Sequence, residues 1–279
     1  MKKTWRRASV TAGVGALLAV SAGAAPTLAA TGSAEPTVGI ARSAIAGQGW
    51  LADTAGDVTA FGGAPNYGSM TGTALKSPIV GVTSTDSGNG YWLVGHDGGV
   101  FSFGDASFHG STGGMQLNQP VVGMAPDVAG KQGYWLATAD GGVFAFDAAF
   151  LGSAAATPLK APVVGIAPSK TGEGYWLVAS DGGIFSYGGA HFSGSTGAMK
   201  LDKPIVGMAA DPDGVGYWLV AADGGVFAFD AEFYGSGAGK VAPGDSVVGI
   251  TANSDGGYSI GTAKGAHLDF GPPVAPVSS

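Results

Sequence analysis

Four aspartates recur at one point of a repeating pattern. Asp97, Asp140, Asp181 and Asp223 each open an Asp-Gly-Gly triplet, at intervals of about 42 residues. On one face of a repeat protein they would form an arc of carboxylates able to hold sugar hydroxyls or a cation. Two of them ~5–10 Å apart could in principle hydrolyse a glycoside. His96 and Asn118 fall beside the arc in the pattern, and Asp202 takes the position of Asn118 further on. Set against this is ordinary turn chemistry, since aspartate before glycine is what a tight turn asks for.

Other chemistries fail on residue type. The 279-residue chain has no cysteine, which removes thiol nucleophiles and disulfides. It has no metalloprotease histidine pair. His96, His109, His191 and His267 lack metal-ligand spacing. Asp211-Pro212-Asp213-Gly214 and Thr85–Gly90 open like calcium loops but lack the later bidentate glutamate. A three-arginine carboxylate clamp of the sialidase kind is impossible, because Arg42 is the one arginine beyond the first thirty residues. Glu35, Glu173 and Glu232 are the only glutamates. Near-identical repeats also spread the same aspartates around the molecule, whereas a catalytic centre needs a one-off constellation.

The elements that would position these residues follow from the repeat. GYWLVASDGGIFSYG at Gly174–Gly188 has close copies from Gly90, Gly133 and Gly216, and fainter ones from Gly49 and Gly257. Trp50, Trp92, Trp135, Trp176 and Trp218 mark the period, and Ser259 fills a sixth slot. Each unit reads as four short strands. Strand a is of the Pro-Val-Val-Gly-Ile type, as in Val163–Ile166, and strand b is Tyr-Trp-Leu-Val-Ala. Asp181-Gly182 fits a two-residue hairpin loop with φ > 0 at both positions. Strand c is Val-Phe-Ala-Phe, and strand d is the Phe-x-Gly-Ser run: Phe108–Ser111, Phe150–Ser153, Phe192–Ser195, Phe233–Ser236. Tyr, Trp, Val, Phe and Ile favour strands, and Gly, Pro and Asp bound the runs. Strand b is apolar on both faces, so each unit needs neighbours on both sides. Four-stranded units of ~40–45 residues stacked in this way make a β-propeller. Six units give six blades, with the strand-a glycines crowding the axis; an open β-solenoid is the alternative. The tryptophans then belong between blades, the rival being a row of sugar-stacking platforms.

The last unit stops at Phe270-Gly271-Pro272-Pro273 without a Phe-x-Gly-Ser strand. Thr31-Gly32-Ser33 looks like a worn copy of it and could complete the sixth blade; Val274–Ser278 is the rival.

Residues 1–30 read as a secretory leader. Lys2, Lys3, Arg6 and Arg7 precede an apolar run from Ala12 to Val20, and Thr27-Leu28-Ala29 precedes the cleavage point. The run is shorter than the ~20 residues a membrane span needs. The repeats then occupy 31–273, with a tail at 274–279. The leader takes four of the thirteen basic residues and none of the twenty acidic ones. What remains is strongly acidic, so nucleic acid and anionic membrane are poor partners. No cofactor is implied.

The motifs GYWLVASDGGIFSYG and GSTGAMKLDKPIVGMA resemble tandem repeats of secreted actinobacterial proteins, where they accompany cell-wall hydrolases, peptidases or esterases. The resemblance is specific over residues 78–236. It weakens where Thr59 replaces the strand-c phenylalanine and Lys264 the turn aspartate. It implies an accessory, envelope-associated role and brings no catalytic residues. The expectation is a secreted, non-catalytic module that binds an extracellular or cell-wall glycan through Asp97, Asp140, Asp181, Asp223, His96, Asn118 and Asp202. The alternative is a scaffold for a secreted envelope enzyme, and an aspartate-based hydrolase comes last.

Overall fold

The structure, a computed structural model, describes residues 35–129 and 133–272. The Thr31-Gly32-Ser33 and Val274–Ser278 segments lie outside the described residues.

The described chain is all β, in six three-stranded antiparallel sheets. Sheet one holds β1 (Thr37–Arg42), β2 (Gly49–Asp53) and β3 (Val58–Phe61), and sheet two β4 (Ile79–Ser84), β5 (Gly90–Gly95) and β6 (Val100–Gly104). Sheet three holds β7 (Val121–Pro126), β8 (Tyr134–Thr138) and β9 (Val143–Phe146), and sheet four β10 (Val163–Pro168), β11 (Gly174–Ala179) and β12 (Ile184–Gly188). Sheet five holds β13 (Ile205–Ala210), β14 (Tyr217–Ala221) and β15 (Val226–Phe229), and sheet six β16 (Val247–Ala252), β17 (Tyr258–Thr262) and β18 (His267–Phe270). Every middle strand is buried along its whole length. An element apolar on both faces has no other stable place than between two neighbours.

The sheets follow one another in a propeller-like ring. The first strands pack in the cycle β1–β4–β7–β10–β13–β16, and β16 returns to β1. That return excludes an open solenoid stack. Each first strand carries a bulge just before its glycine, as between Val163 and Gly165. The glycine is needed: a Cβ on Gly39 would lie 3.2 Å from Gly81 Cα, and one on Gly207 3.3 Å from Gly249 Cα.

A belt of backbone hydrogen bonds joins the sheets. His96 N–H donates to Pro78 O of its own sheet (2.9 Å), and His96 O accepts from Val121 N of the next (3.0 Å). Ala139, Ser180 and Ala222 repeat the pattern. Ala263 completes it, accepting from Thr37 N at 2.9 Å. The ring is thus closed by this bond, by packing and by side-chain contacts, and among the described residues no strand is shared between its first and last sheets.

Two corrections to the strand reading follow. The Phe-x-Gly-Ser runs are not strands, so each unit has three strands and not four. Their glycines take φ of 129–138° at Gly110, Gly152, Gly194 and Gly235, far from extended pleating. Backbone groups in these runs, and of the residue just before each, bond to side chains instead. Trp176 Nε1 donates to His191 O at 2.8 Å, and the other four tryptophans do likewise in their own links. The tyrosine of the next sheet completes the pairing: Tyr217 OH donates to Gly194 O (2.6 Å) and accepts from Ser193 N (3.2 Å) and Gly194 N (3.1 Å). The phenylalanines are left outside: Phe108, Phe150, Phe192 and Phe233 are 38–61% exposed. Sheet six, like its neighbours, has three strands among the described residues.

The hairpin between the second and third strands is also longer than expected. Gly182 N bonds Ala179 O and Ala179 N bonds Gly183 O, both at 2.8 Å. Of Asp181 and Gly182, only Gly182 has positive φ (78°). This is a three-residue loop, a type I turn followed by a left-handed glycine.

The core is a set of inter-sheet clusters. Trp50, Trp135, Trp176 and Trp218 are no more than 2% exposed and Trp92 is 4%. Each leans on the tyrosine of the next sheet at 5.0–5.6 Å between ring centroids: Tyr91, Tyr134, Tyr175, Tyr217 and Tyr258. Burial pushes these tyrosines above the ordinary phenol range, Tyr175 and Tyr258 to about 12.

Candidate functional site

The turn aspartates first serve their own turns. Asp97 Oδ1 accepts from Gly99 N at 3.0 Å, Asp181 from Gly183 N at 2.9 Å and Asp223 from Gly225 N at 3.0 Å. Asp140 accepts from Gly142 N at 3.2 Å and from Thr138 Oγ1 at 2.5 Å. The four do not meet; each stays in the turn of its own sheet.

Around one of these turns the chain builds a groove. The link after β6 is tied down at both ends. Thr112, fully buried, donates its N–H to Gly98 O (3.1 Å) and its hydroxyl to Asp97 O (3.2 Å). At the far end Val121 N reaches His96 O. Between these ties the link bulges outward, turning where Met115 N bonds Thr112 O at 2.8 Å. The bulge and the turn enclose an open groove of about 270 Å³. Its polar wall is Ser77, His96, Asp97, Asn118 and Gln119; its apolar wall is Met115, Leu117 and Pro120. His96, Asn118 and Gln119 are exposed, as is Met115 at 59%.

The structure therefore gathers His96, Asp97 and Asn118 in one place. Asp202 sits at the corresponding point of the link in sheet four, beyond the Asp181 turn. Asp140 and Asp223 border links with neither methionine nor an Asn/Asp pair. Met115, Leu117, Gln119 and Ser77 were not picked out in the sequence, because they belong to polar-looking links. The cue available was the equal spacing of 23 residues from Asp97 to Pro120 and from Asp181 to Pro204. Among the described residues no three His, Asp or Glu side chains converge as cation ligands would.

The groove can offer hydroxyl acceptors and donors on one side and apolar contact on the other. Asp97 keeps Oδ2 for a ligand while Oδ1 holds the turn. Asn118 and Gln119 can both donate and accept.

A second, one-off constellation lies where sheet six meets sheet one. Ser259 stands where the other sheets have tryptophan, and Gly49 where they have tyrosine. The gap is taken by Arg42, paired across the strands with Gly49. A Cβ on Gly49 would lie 2.6 Å from Phe61 Cζ and 3.1 Å from Arg42 Cδ, so this space is already full. Arg42 is 6% exposed; its Nε donates to Asn253 Oδ1 (2.8 Å) and its Nη2 to Asp269 Oδ1 (3.1 Å). Ser259 Oγ donates toward Asp269 Oδ1 (2.6 Å) and lies 2.8 Å from Asn253 Oδ1. Phe61 lies under the guanidinium at 5.2 Å and stacks on His267 at 4.1 Å. Burial and the positive Arg42 hold the His267 imidazole below its ordinary range, against the pull of Asp269. Buried Arg42 is lowered by desolvation and supported by Asp269 and Asp255. The signal in the sequence was the pair of substitutions, Ser259 for tryptophan and Gly49 for tyrosine, beside the lone arginine.

No family model and no curated protein matches the chain. Among solved structures it is similar to a structural-genomics protein of unknown function from Bacteroides thetaiotaomicron VPI-5482. The TM-score is 0.57 at 13% identity, over 84% of this chain and 68% of that one. At that identity the likeness concerns the fold alone.

Proposed function

We propose that the protein is a secreted, non-catalytic binding module of the β-propeller kind, with three-stranded blades, that recognises an extracellular or cell-envelope glycan. The observation that carries this reading is the groove at sheet two, where His96, Asp97, Asn118 and Gln119 face Met115, Leu117 and Pro120. Sugars present hydroxyls at their rims and C–H groups on their faces, and a half-polar, half-apolar cleft suits both. At about 270 Å³ it falls just below the ~300–1,000 Å³ of ligand pockets and is open to solvent, which suits one unit of a longer chain. The turn aspartates are apart and engaged, which favours binding over hydrolysis. The test is retention on purified peptidoglycan together with a glycan array. Wild type should bind, and His96→Ala with Asn118→Ala should weaken binding at least tenfold; no binding to either overturns the reading.

One observation favours a second reading, a docking scaffold for a secreted protein. Phe108, Phe150, Phe192 and Phe233 stand exposed at the same point of four consecutive units. Co-purification from culture supernatant that is lost on replacing all four with serine would support the scaffold.

A further inference from the structure

The links between sheets follow a second period, of two units. In sheets two and four the buried link residue is Thr112 or Thr196, both fully buried. Thr196 repeats the anchoring of Thr112: its N–H donates to Gly182 O (3.2 Å) and its hydroxyl to Asp181 O (3.2 Å). Met199 N then bonds Thr196 O at 2.7 Å, as Met115 N bonds Thr112 O. Leu117-Asn118 corresponds to Leu201-Asp202, and Pro120 to Pro204. The links after sheets one, three and five depart from this set. They place Met70, Ala154 and Gly237 in the threonine slot, and Thr73, Thr157 and Lys240 in the methionine slot. Lys76 and Lys160 occupy the Asn/Asp slot.

The fold does not require this alternation, because the other three sheets close the same belt with other residues. Nor does the interior: Met115 and Met199 are 59% and 43% exposed, so their side chains serve the surface. The two links hold equal places in the ring. The link that walls the groove of sheet two thus has an equally anchored counterpart two sheets on.

We propose that the link of sheet four forms a second groove like that of sheet two, and that the two are a matched pair of sites that engage one glycan polymer at two of its repeating units. The proposal rests on the glycan reading above and adds the number of sites and the polymeric nature of the ligand. The shared set is the turn aspartate, the leucine and the methionine, which would meet the repeating part of the ligand. The unshared set differs in charge: His96, Asn118 and Gln119 in one groove, Ser180, Asp202 and Lys203 in the other. The two sites thus have unequal intrinsic affinities for the same unit. A rigid ring that holds both turns the second contact into an intramolecular one, which raises avidity by ~10²–10⁴ without new contacts.

The experiment uses the full chain and purified peptidoglycan as probe, with soluble disaccharide-peptide fragments of the same material. Met115→Glu and Met199→Glu place a charge in either groove at an exposed position, and Thr157→Glu is the control in sheet three. Each methionine variant should lose ~100-fold in retention on the polymer, and the double variant the remainder. Thr157→Glu should bind as wild type. Fragment titration should give two sites for wild type and one for each single variant. One site in wild type, or a Met199→Glu variant that binds as wild type while Met115→Glu does not, overturns the pair and leaves the single-groove reading standing. Equal losses in all three variants overturn the pair as well. Failure of wild type to bind polymer and fragments overturns the glycan reading, and the pair with it. Unchanged urea midpoints for the variants assign the losses to binding.

Discussion

Replacing Tyr217 by phenylalanine isolates the device that stands in for the missing fourth strand. The ring of Tyr217 contacts Trp176 at 5.2 Å and Phe229 at 5.6 Å, and phenylalanine keeps both. What goes is the hydroxyl, which donates to Gly194 O and accepts from Ser193 N and Gly194 N. These groups have no strand partner to return to. A net hydrogen bond is worth ~1 kcal/mol, and a buried polar group left unpaired costs ~1–3 kcal/mol. The loss should be about 2 kcal/mol. Trp176→Ala, which empties a fully packed site, should cost ~3–5 kcal/mol. Urea unfolding followed by tryptophan fluorescence should show a lower midpoint for Tyr217→Phe with the same slope, since the surface exposed on unfolding hardly changes. Hydrogen exchange should quicken at Ser193 and Gly194 and not within β14. An unchanged midpoint would show that the link is held by something else. A loss as large as that of Trp176→Ala would show that the ring, and not the hydroxyl, carries the effect.

Three further outcomes follow from the geometry. At the seam, Asp269→Ala should cost about 3 kcal/mol in urea unfolding, because it strands the buried Arg42, whereas Arg42→Met should cost less, because Asp269 is 45% exposed and water can serve it. Equal losses would contradict this asymmetry. Tyr175 and Tyr258 keep their protons in the folded state up to about pH 12, while in the unfolded chain they ionise near 10.0. Their contribution is whole below pH 10.0 and is lost as pH rises through about 12, so the melting temperature should hold to the first value and fall between the two. Removal of residues 30–34 tests the part given to Thr31-Gly32-Ser33: a lower melting temperature than that of a chain starting at Ala30 supports it, and an unchanged one rejects it.

The ring was legible where the cause was local or periodic. Trp50 to Trp218 mark the period, and a middle strand apolar on both faces dictates stacking. Phe108-His109-Gly110-Ser111 misled because it opens on a strand-favouring phenylalanine and recurs at the same point of four units. What decides its conformation is Tyr134, whose hydroxyl lies 2.6 Å from Gly110 O across a sheet boundary. No local propensity contains that bond. The turn at Asp181-Gly182 misled for a smaller reason, since the loop takes in Ser180 and needs positive φ at the glycine alone. Of the candidate site, His96, Asp97 and Asn118 meet because the belt brings the link back to the turn. Asp140, Asp181 and Asp223 stay apart because equivalent residues in a ring remain equivalent.

The seam follows from the same logic run in reverse. In a ring of near-identical units, any Trp–Tyr junction resembles the next, and packing alone does not say which unit closes on which. Sheet one offers Arg42 and Gly49 in place of a tyrosine, and sheet six offers Ser259 and Asp269 opposite each other in place of a tryptophan and its small partner. The residues that correspond to Asp269 in sheets one to five are Ala60, Ser102, Ala145, Ser186 and Ala228. Against any of them Arg42 would be buried without a carboxylate, at a cost of several kcal/mol. A buried ion pair adds little net stability compared with an apolar contact. Its effect here is selective: it leaves the correct closure intact and penalises each of the others.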